Sequence, residues 1–197
     1  MSLNIECEDR VMIYESNYYD ILTPLLRRSN EHPFILQTNI YIDTADHYIK
    51  NHIGVLRIRV IQPLNIELTL KIKDKDGDKE YNEPVLFQNY QLFKEKNILP
   101  EGEIKQLLTQ ILKTSDLTSV LSPITTLDTR RYEEKIDDYL LVLDKNSYNG
   151  IEDYNLEVEA ISVERAKEVM QKYCKEYGIE YKPCKSKSRR ALDSIKK

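Results

Sequence analysis

The chain has 197 residues, of which 31% are charged, and its formal net charge is −4. Proteins that bind the nucleic-acid backbone normally carry a basic excess, so this balance argues against a DNA- or RNA-binding protein. The sequence has no run of about eighteen apolar residues and no N-terminal signal pattern, so we expect neither a membrane-spanning nor a secreted protein.

The first half of the chain predicts strands with one helix among them. Alternating side chains predict a strand over residues 4–13. Ser16 is the expected cap of a helix that runs through Leu26, although Pro24 weakens this helix. Further strands are predicted at residues 35–44, 54–61, 66–73 and 79–87, with a hairpin turn at 74–78.

The second half predicts more helix and three further strands. Residues 88–121 have helical periodicity, and the strands that follow are predicted at 125–136, 139–148 and 154–161. A long helix is then expected between a Ser162 cap and a Gly178 stop, and the basic tail ends in a short helix. About eight antiparallel strands with inserted helices predict an α+β protein with one highly curved sheet or a barrel.

Several of the predicted strands carry charge on one face only. The charged positions are Glu6, Glu8 and Arg10, then Arg57 and Arg59, then Lys71 and Lys73, then Glu157 and Glu159. For any single strand, an ordinary sheet with its charges in water is the simplest interpretation.

The helices favour a second interpretation. Their apolar stripes need an apolar face of the sheet to cover, which leaves the charged face toward a different space. If the sheet closed with its apolar side outward, the charged side would line a tunnel. Buried charges at that density must be paired or neutralised by a ligand, and a metal–polyphosphate complex would satisfy both signs.

Five stretches of the chain resemble one family in the same order. They are "IECEDR" (5–10), "NIYIDTADHYIKNHIGVLRIR" (39–59), "LTLKIK" (68–73), "LVLDKNSYNGIEDYNLEVEA" (141–160) and "CKSKSRRAL" (184–192). Together they resemble the motifs of the CYTH, or triphosphate tunnel metalloenzyme, superfamily. That superfamily includes class IV adenylyl cyclases, thiamine triphosphatases, inorganic triphosphatases and some RNA triphosphatases.

The resemblance implies a single domain over residues 1–197, folded as an eight-stranded antiparallel tunnel with helices on its outside. It also implies an Mg²⁺ or Mn²⁺ site. The metal ligands implied are Glu6, Glu8, Glu157 and Glu159, with Asp144 either as a further ligand or behind the ligands. Hard carboxylate oxygens suit these ions.

The basic positions of the motifs are implied to bind the triphosphate and stabilise its charge during the reaction. These residues are Arg10, Arg57, Arg59, Lys71 and Lys187, with Lys73 continuing the face of Lys71. Of the neighbours Arg130 and Arg131, only one can point inward from a regular strand, and we favour Arg131. Arg10 stands where the family signature has lysine; arginine keeps the charge but does not exchange a proton.

We therefore predict a cytoplasmic, divalent-metal-dependent hydrolase of inorganic, nucleoside or thiamine triphosphate. The alternatives are a class IV-type adenylyl cyclase that makes cyclic AMP from ATP, and a non-catalytic sensor of polyphosphate or nucleotides. The expected partner is a small-molecule triphosphate, with no nucleic acid and no membrane, and a homodimer is left open.

Other motifs are absent or weak. Cys7, Cys174 and Cys184 include no CxxC pair, which fits a reducing cytoplasm and argues against disulfides or structural zinc. The stretch "DKDGDKE" (74–80) has the wrong spacing for a calcium loop. No P-loop or GxGxxG motif occurs.

Overall fold

The computed structural model describes residues 2–28, 34–63, 65–73 and 78–195. Within these ranges the chain folds into nine strands and six α-helices, which confirms the predicted α+β class. The strands are β1 (Ser2–Glu6), β2 (Glu8–Ile13), β3 (Ile35–Thr44), β4 (Gly54–Ile61), β5 (Asn65–Ile72), β6 (Asp78–Pro84), β7 (Leu121–Ile136), β8 (Tyr139–Tyr148) and β9 (Ile151–Glu159). The helices are α1 (Glu15–Arg28), α2 (Phe87–Lys96), α3 (Glu103–Leu112), α4 (Leu117–Val120), α5 (Val163–Glu176) and α6 (Lys187–Asp193), with a π-helical turn at Ile49–Ile53.

The chain divides into two compact units. Unit 1 comprises residues 1–6, 37–127 and 191–197, and unit 2 comprises residues 7–36 and 128–190. The strand order is β1-β6-β5-β4-β3-β7 in unit 1 and β7-β8-β9-β2 in unit 2, since β7 contributes residues to both. β1 and β2 are the first and last strands in this order, and the described residues form no hydrogen-bonded pairing between them. The predicted closed barrel is therefore not confirmed, and the single domain remains a prediction.

Unit 1 buries one face of its strands under helices. Ile58 of β4 and Leu68 of β5 are fully buried and lie in one apolar cluster with Ile104 and Leu108 of α3. The last two residues are four positions apart, so they lie on one face of the helix. Because side chains alternate along a strand, this packing leaves Arg57 on the opposite face of β4.

Unit 2 is built in the same way from α1 and α5. Leu143 of β8 and Leu156 of β9 are fully buried with Val11 of β2. Tyr18 of α1 and Met170 of α5 belong to the same cluster. Burial of these side chains, at about 1.5–3 kcal/mol each, fixes which face of every strand is apolar. The side chains of opposite parity consequently lie on the other face, and these include Glu8, Arg10, Asp144, Glu157 and Glu159.

The predicted first strand is divided at Cys7. β1 pairs with β6, where Glu6 lies opposite Asp78, whereas β2 pairs with β9, where Glu8 lies opposite Glu159. In the sequence, apolar and charged residues alternate from Ile5 to Glu8 across the division, so periodicity could not reveal it. A single alternating stretch thus serves two ladders.

Helix boundaries also differ in part from the predictions. Ser16 is not a cap, because α1 already begins at Glu15. The predicted helical section 88–121 consists of the three helices α2 to α4, and β7 begins at its end. The Ser162 cap is confirmed, since its hydroxyl accepts a hydrogen bond from the Arg165 N–H at 3.2 Å.

The remaining predictions on local structure have mixed outcomes. The short tail helix is confirmed as α6, and Gly178 follows the end of α5 with a φ of +64°. Residues 74–77 of the predicted hairpin turn lie outside the described residues. No helix in the described ranges is long and apolar enough to cross a membrane.

Gly54, the first residue of β4, provides a test of this packing. Its φ is +156°, and a Cβ there would lie 2.1 Å from the Lys71 carbonyl oxygen. Gly54→Ala should therefore lower the free energy of unfolding by at least about 2 kcal/mol. Gly150→Ala is the control, because its φ is +76° but no atom lies within 4 Å of the added Cβ. Chemical denaturation that shows equal losses for both variants would contradict the tight β4–β5 contact.

Candidate active site

The β2–β9 ladder brings charged side chains of unit 2 together. Glu157 and Glu159 are two positions apart on β9, so their side chains lie on the same face of the strand. The antiparallel register places Arg10 opposite Glu157 and Glu8 opposite Glu159. A shift of one residue would turn either strand's charges to the apolar side, so the apolar cluster of unit 2 fixes this arrangement.

Three of these carboxylates form a group. One oxygen from each of Glu8, Glu157 and Glu159 lies within 4.8 Å of the other two. Glu157 is buried and the other two are half-buried. Three like charges at such separations repel each other, so the group favours a bound cation. Oxygen donors of this kind fit Mg²⁺ or Mn²⁺.

Two arginines lie against Glu157. The Nε atom of Arg10 is 3.6 Å from Glu157 Oε1, and another nitrogen of the same guanidinium pairs with Glu8. Arg131 of β7 donates from Nη2 to Glu157 Oε2 at 3.2 Å. Each oxygen of Glu157 therefore faces a different cation.

Asp144 of β8 is fully buried between two cations. Arg131 donates to its two oxygens at 2.8 and 2.9 Å, and Lys187 Nζ donates at 2.6 Å. Burial acts to raise the pKa of Asp144, but these two cations outweigh it and hold the pKa well below its usual range. Burial likewise opposes the charge on Glu157, and Lys187 and Arg131 nevertheless lower its pKa.

These contacts form a row of alternating charge, which we call the charge row. Its members in order are Glu8, Arg10, Glu157, Arg131, Asp144 and Lys187. The charge row together with Glu159 contains four carboxylates and three cations, so this group of described side chains has one negative charge in excess.

The structure separates the two neighbouring arginines that the sequence left ambiguous. Arg131 joins the charge row, whereas Arg130 is exposed, with its guanidinium 3.7 Å from the centroid of the Phe34 ring. The side chain of Glu6, the remaining predicted metal ligand, lies outside the described part of the chain.

The predicted arginines of unit 1 lie on one face of β4 with acidic partners. Arg57 is buried, and its Nη2 atom is 3.3 Å from Glu80 Oε2. Arg59 donates to Glu67 at 3.1 Å and to Asn39 at 3.2 Å. Burial raises the pKa of Glu67, with Arg57 acting in the opposite direction.

The two predicted lysines of unit 1 differ in environment. Lys71 is half-buried in β5, opposite Val55 on one side and Glu80 on the other. Lys73 lies just beyond the end of β5 and is exposed. Only Lys71 therefore occupies a regular strand position next to the charges of β4 and β6.

Two structural carboxylates were missed from the sequence. Asp43 accepts hydrogen bonds from the backbone N–H groups of Ile49 and Lys50 at 2.8 and 2.9 Å, which fixes the π-helical turn. Asp153 binds Arg190 through two hydrogen bonds. Asp153 has the same strand parity as Glu157, a signal that could have placed it on the charged face.

Known proteins resemble this chain along almost its full length. Residues 4–192 match the sequence model of the family described as "CYTH domain". The protein named "Putative triphosphatase YjbK" from Bacillus subtilis is 28% identical, and the match covers 100% of this chain and 99% of that protein.

Solved structures agree with this match. The crystal structure of "a putative adenylate cyclase (bh2851)" from Bacillus halodurans is 31% identical with a TM-score of 0.83, and the match covers 96% of this chain and 98% of that one. The Hippeastrum protein HpAC1, described as a "putative adenylyl cyclase" with a dominant triphosphatase activity, is 22% identical with a TM-score of 0.76. That match covers 100% of this chain and 97% of the other, and at this identity it shows the fold alone.

Replacement of Asp144 tests the charge row. Asp144→Asn leaves Arg131 and Lys187 without their buried counter-charge and should lower the free energy of unfolding by about 3 kcal/mol. Asp138→Asn is the matched control, because Asp138 binds Arg165 through a similar pair of hydrogen bonds on the exposed surface and should change stability little. Chemical denaturation at neutral pH measures both.

The same variant predicts a change in acid stability. The folded chain holds the pKa of Asp144 below its ordinary value. The contribution of Asp144 to stability is therefore complete above about pH 4 and declines as pH falls toward the lower folded-state pKa. Asp144→Asn should lose stability less steeply than the unaltered protein below about pH 4. Equal slopes in pH-dependent denaturation would show that Asp144 is not held ionised.

Proposed function

Because the chain belongs to the CYTH domain family, whose model matches residues 4–192, we propose that it hydrolyses a small-molecule triphosphate with the help of a divalent cation. The observation that carries this proposal is the group of three carboxylates, Glu8, Glu157 and Glu159, beside the cations of the charge row. The name of the Bacillus subtilis relative supports the same activity.

Glu8, Glu157 and Glu159 are the proposed ligands of Mg²⁺ or Mn²⁺, with Glu6 added on the strength of the resemblance. A bound ion of this kind neutralises phosphate charge and lowers the pKa of coordinated water. Asp144 is proposed to act behind the ligands, because both of its oxygens already accept hydrogen bonds from Arg131 and Lys187.

The cations of unit 2 are suited to phosphate oxygens. Arg10 Nε is buried and has no hydrogen-bond partner among the described groups. The ammonium of Lys187 has three donor hydrogens, and Asp144 accepts one of them. We propose that Arg10 and Lys187 donate to the triphosphate, while Arg131 holds Asp144 and Glu157 in place. A divalent cation bound at Glu8, Glu157 and Glu159 would offset the negative charge of these carboxylates, which favours a polyanion.

Transfer of a phosphoryl group to water passes through a loose transition state with spread negative charge. Preorganised donors such as Arg10 and Lys187 stabilise that charge without having to reorient. A carboxylate is also needed to accept the proton of the attacking water. We propose that a carboxylate of β9, Glu157 or Glu159, takes this role.

Residues of unit 1 are proposed to bind phosphate on the basis of the family resemblance. Arg57, Arg59 and Lys71 are retained, and Lys73 is a weaker candidate because it is exposed. Arg130 is no longer proposed, since it lies over Phe34. The cytoplasmic location, the lack of a nucleic-acid partner and the oligomeric state remain predictions from the sequence.

Product analysis tests the proposed activity. The purified protein is given inorganic triphosphate, ATP, GTP or thiamine triphosphate with Mg²⁺ or Mn²⁺, and phosphorus NMR identifies the products. Glu157→Gln should reduce orthophosphate release by about 100-fold, since it removes one of the proposed ligands and a charge-row member. Glu152→Gln is the control, because Glu152 lies on the same strand, is exposed and pairs with Lys145 instead.

Equal turnover in Glu157→Gln and Glu152→Gln would contradict the proposed site. Ligand-induced thermal stabilisation of the unaltered protein without any product would contradict hydrolysis and indicate a sensor.

Adenylyl cyclase activity is the second candidate, because a relative that is 31% identical carries that name. In a cyclase the attacking oxygen would be the 3′-hydroxyl of the same nucleotide instead of water. The ATP arm of the assay distinguishes the two reactions. Cyclic AMP with pyrophosphate would identify a cyclase, and orthophosphate identifies a hydrolase.

A further inference from the structure

The helix that carries Lys187 is short. α6 spans the seven residues Lys187–Asp193, and an isolated helix of this length is not stable in water. Lys187 is nevertheless 7% exposed, with its ammonium against Asp144. Other contacts must therefore hold the beginning of α6 in position.

Arg190, one turn after Lys187, supplies such contacts. Its Nε and Nη2 atoms donate to the two oxygens of Asp153 at 2.8 and 2.9 Å. Nη2 also donates to Asn155 Oδ1 and Nη1 to the Lys185 carbonyl oxygen, both at 2.7 Å. The side chains of Arg190 and Asp153 are only 12% and 11% exposed, so this two-bond ion pair is shielded from water.

Asp153 accepts further hydrogen bonds from β8. Tyr148 donates its hydroxyl hydrogen to Asp153 at 2.5 Å, and Asn146 donates from Nδ2 at 3.0 Å. Asn146 also donates to Asn155 at 2.8 Å and accepts from Thr129 at 2.9 Å. These bonds join β7, β8 and β9, so the receptor for Arg190 is part of the sheet of unit 2.

The strands β8 and β9 bind both Lys187 and Arg190 of α6. In the β8–β9 ladder Asp153 lies opposite Asn146, and Asn155 lies opposite Asp144. Residues three apart lie on the same side of a helix, so Lys187 and Arg190 can both reach this ladder. Lys187 binds the ladder at Asp144, and Arg190 binds it at Asp153 and Asn155.

We propose that Asp153 and Arg190 form a positioning pair that fixes α6 so that Lys187 lies against Asp144. The hydrogen bonds that the structure describes for the pair include those to Tyr148, Asn146, Asn155 and Lys185, and the pair acts through Lys187. Its role in catalysis rests on the proposed function, because Lys187 is proposed there to donate to the triphosphate. Its effect on the burial of Lys187 does not depend on any activity.

Lysine labelling tests the positioning without a substrate. The protein is treated briefly with an amine-reactive reagent, and mass spectrometry gives the labelling rate of Lys187. Arg190→Gln should raise that rate about tenfold, because it removes several bonds to charged groups. Arg190→Lys, which keeps the charge but loses the fork, should restore part of the protection. Thermal unfolding shows whether each variant is folded. If Arg190→Gln does not fold, the labelling rate of Lys187 is measured in Asp153→Asn instead.

Arg165→Gln is the matched control for this labelling. Arg165 binds both oxygens of Asp138 at 2.8 and 3.0 Å on the exposed surface, so the variant removes an equivalent ion pair elsewhere in unit 2. Labelling of Lys187 should not change in this control. Unchanged protection of Lys187 in a folded Arg190→Gln variant, or equal loss of protection in both variants, would overturn the proposal.

A double-mutant cycle tests the catalytic consequence with whichever of inorganic triphosphate, ATP, GTP and thiamine triphosphate the protein hydrolyses. Arg190→Gln should lower kcat about tenfold in the unaltered protein and have little effect in a Lys187→Ala background, because coupled residues are not additive. A full loss in both backgrounds would overturn action through Lys187. If the unaltered protein hydrolyses none of the four triphosphates of the product analysis, the proposed function fails, while the labelling result still decides the positioning.

Discussion

Asp144 carries a negative charge at a fully buried position. Its ion pairs with Arg131 and Lys187 offset the free-energy cost of burying that charge. An unpaired buried carboxylate would be strongly destabilising. These pairs connect β7, β8 and α6, and Arg131 extends the connection to Glu157 on β9. The rest of the site depends on this arrangement, since the carboxylates and cations of unit 2 hold one another in place.

Stability alone does not explain such a row of charges. Well-packed apolar residues in place of a buried ion pair are often equally stable or more stable. The apolar cluster around Leu143 and Leu156 already supplies a core to the same strands. The ligand that we propose would give the charged face a role. The cations of that face are preorganised, one carboxylate remains in excess, and Glu8, Glu157 and Glu159 lie close enough to share a cation.

Much of the fold could be predicted from the sequence, because a strand with one apolar face shows an alternation of apolar and polar residues. Three predicted strands, 35–44, 54–61 and 139–148, have the bounds observed for β3, β4 and β8. The division at Cys7 could not be predicted, because it depends on which strands pair with each half. The π-helical turn was also missed, since it depends on hydrogen bonds from Ile49 and Lys50 to Asp43.

Candidate site residues could be proposed from the sequence, but the contacts among them could not be predicted. Family resemblance led to Glu157, Glu159 and Arg131, which the structure brings close together, and their functional roles stay predictions. The resemblance could not show that Arg131 would bind Asp144, thirteen positions away, instead of remaining available to a ligand. Partner choice among buried charges depends on distances between elements, and those distances follow from packing that no local pattern contains.

The most direct test of the central claim is to locate a bound cation. Crystals of the protein soaked in Mn²⁺ and measured at a wavelength that reveals manganese would show the site by anomalous scattering. We expect a peak among the carboxylates of Glu8, Glu157 and Glu159, with Asp144 still bound by Arg131 and Lys187. A manganese peak elsewhere, with these three carboxylates unoccupied and accessible in the crystal, would contradict the account.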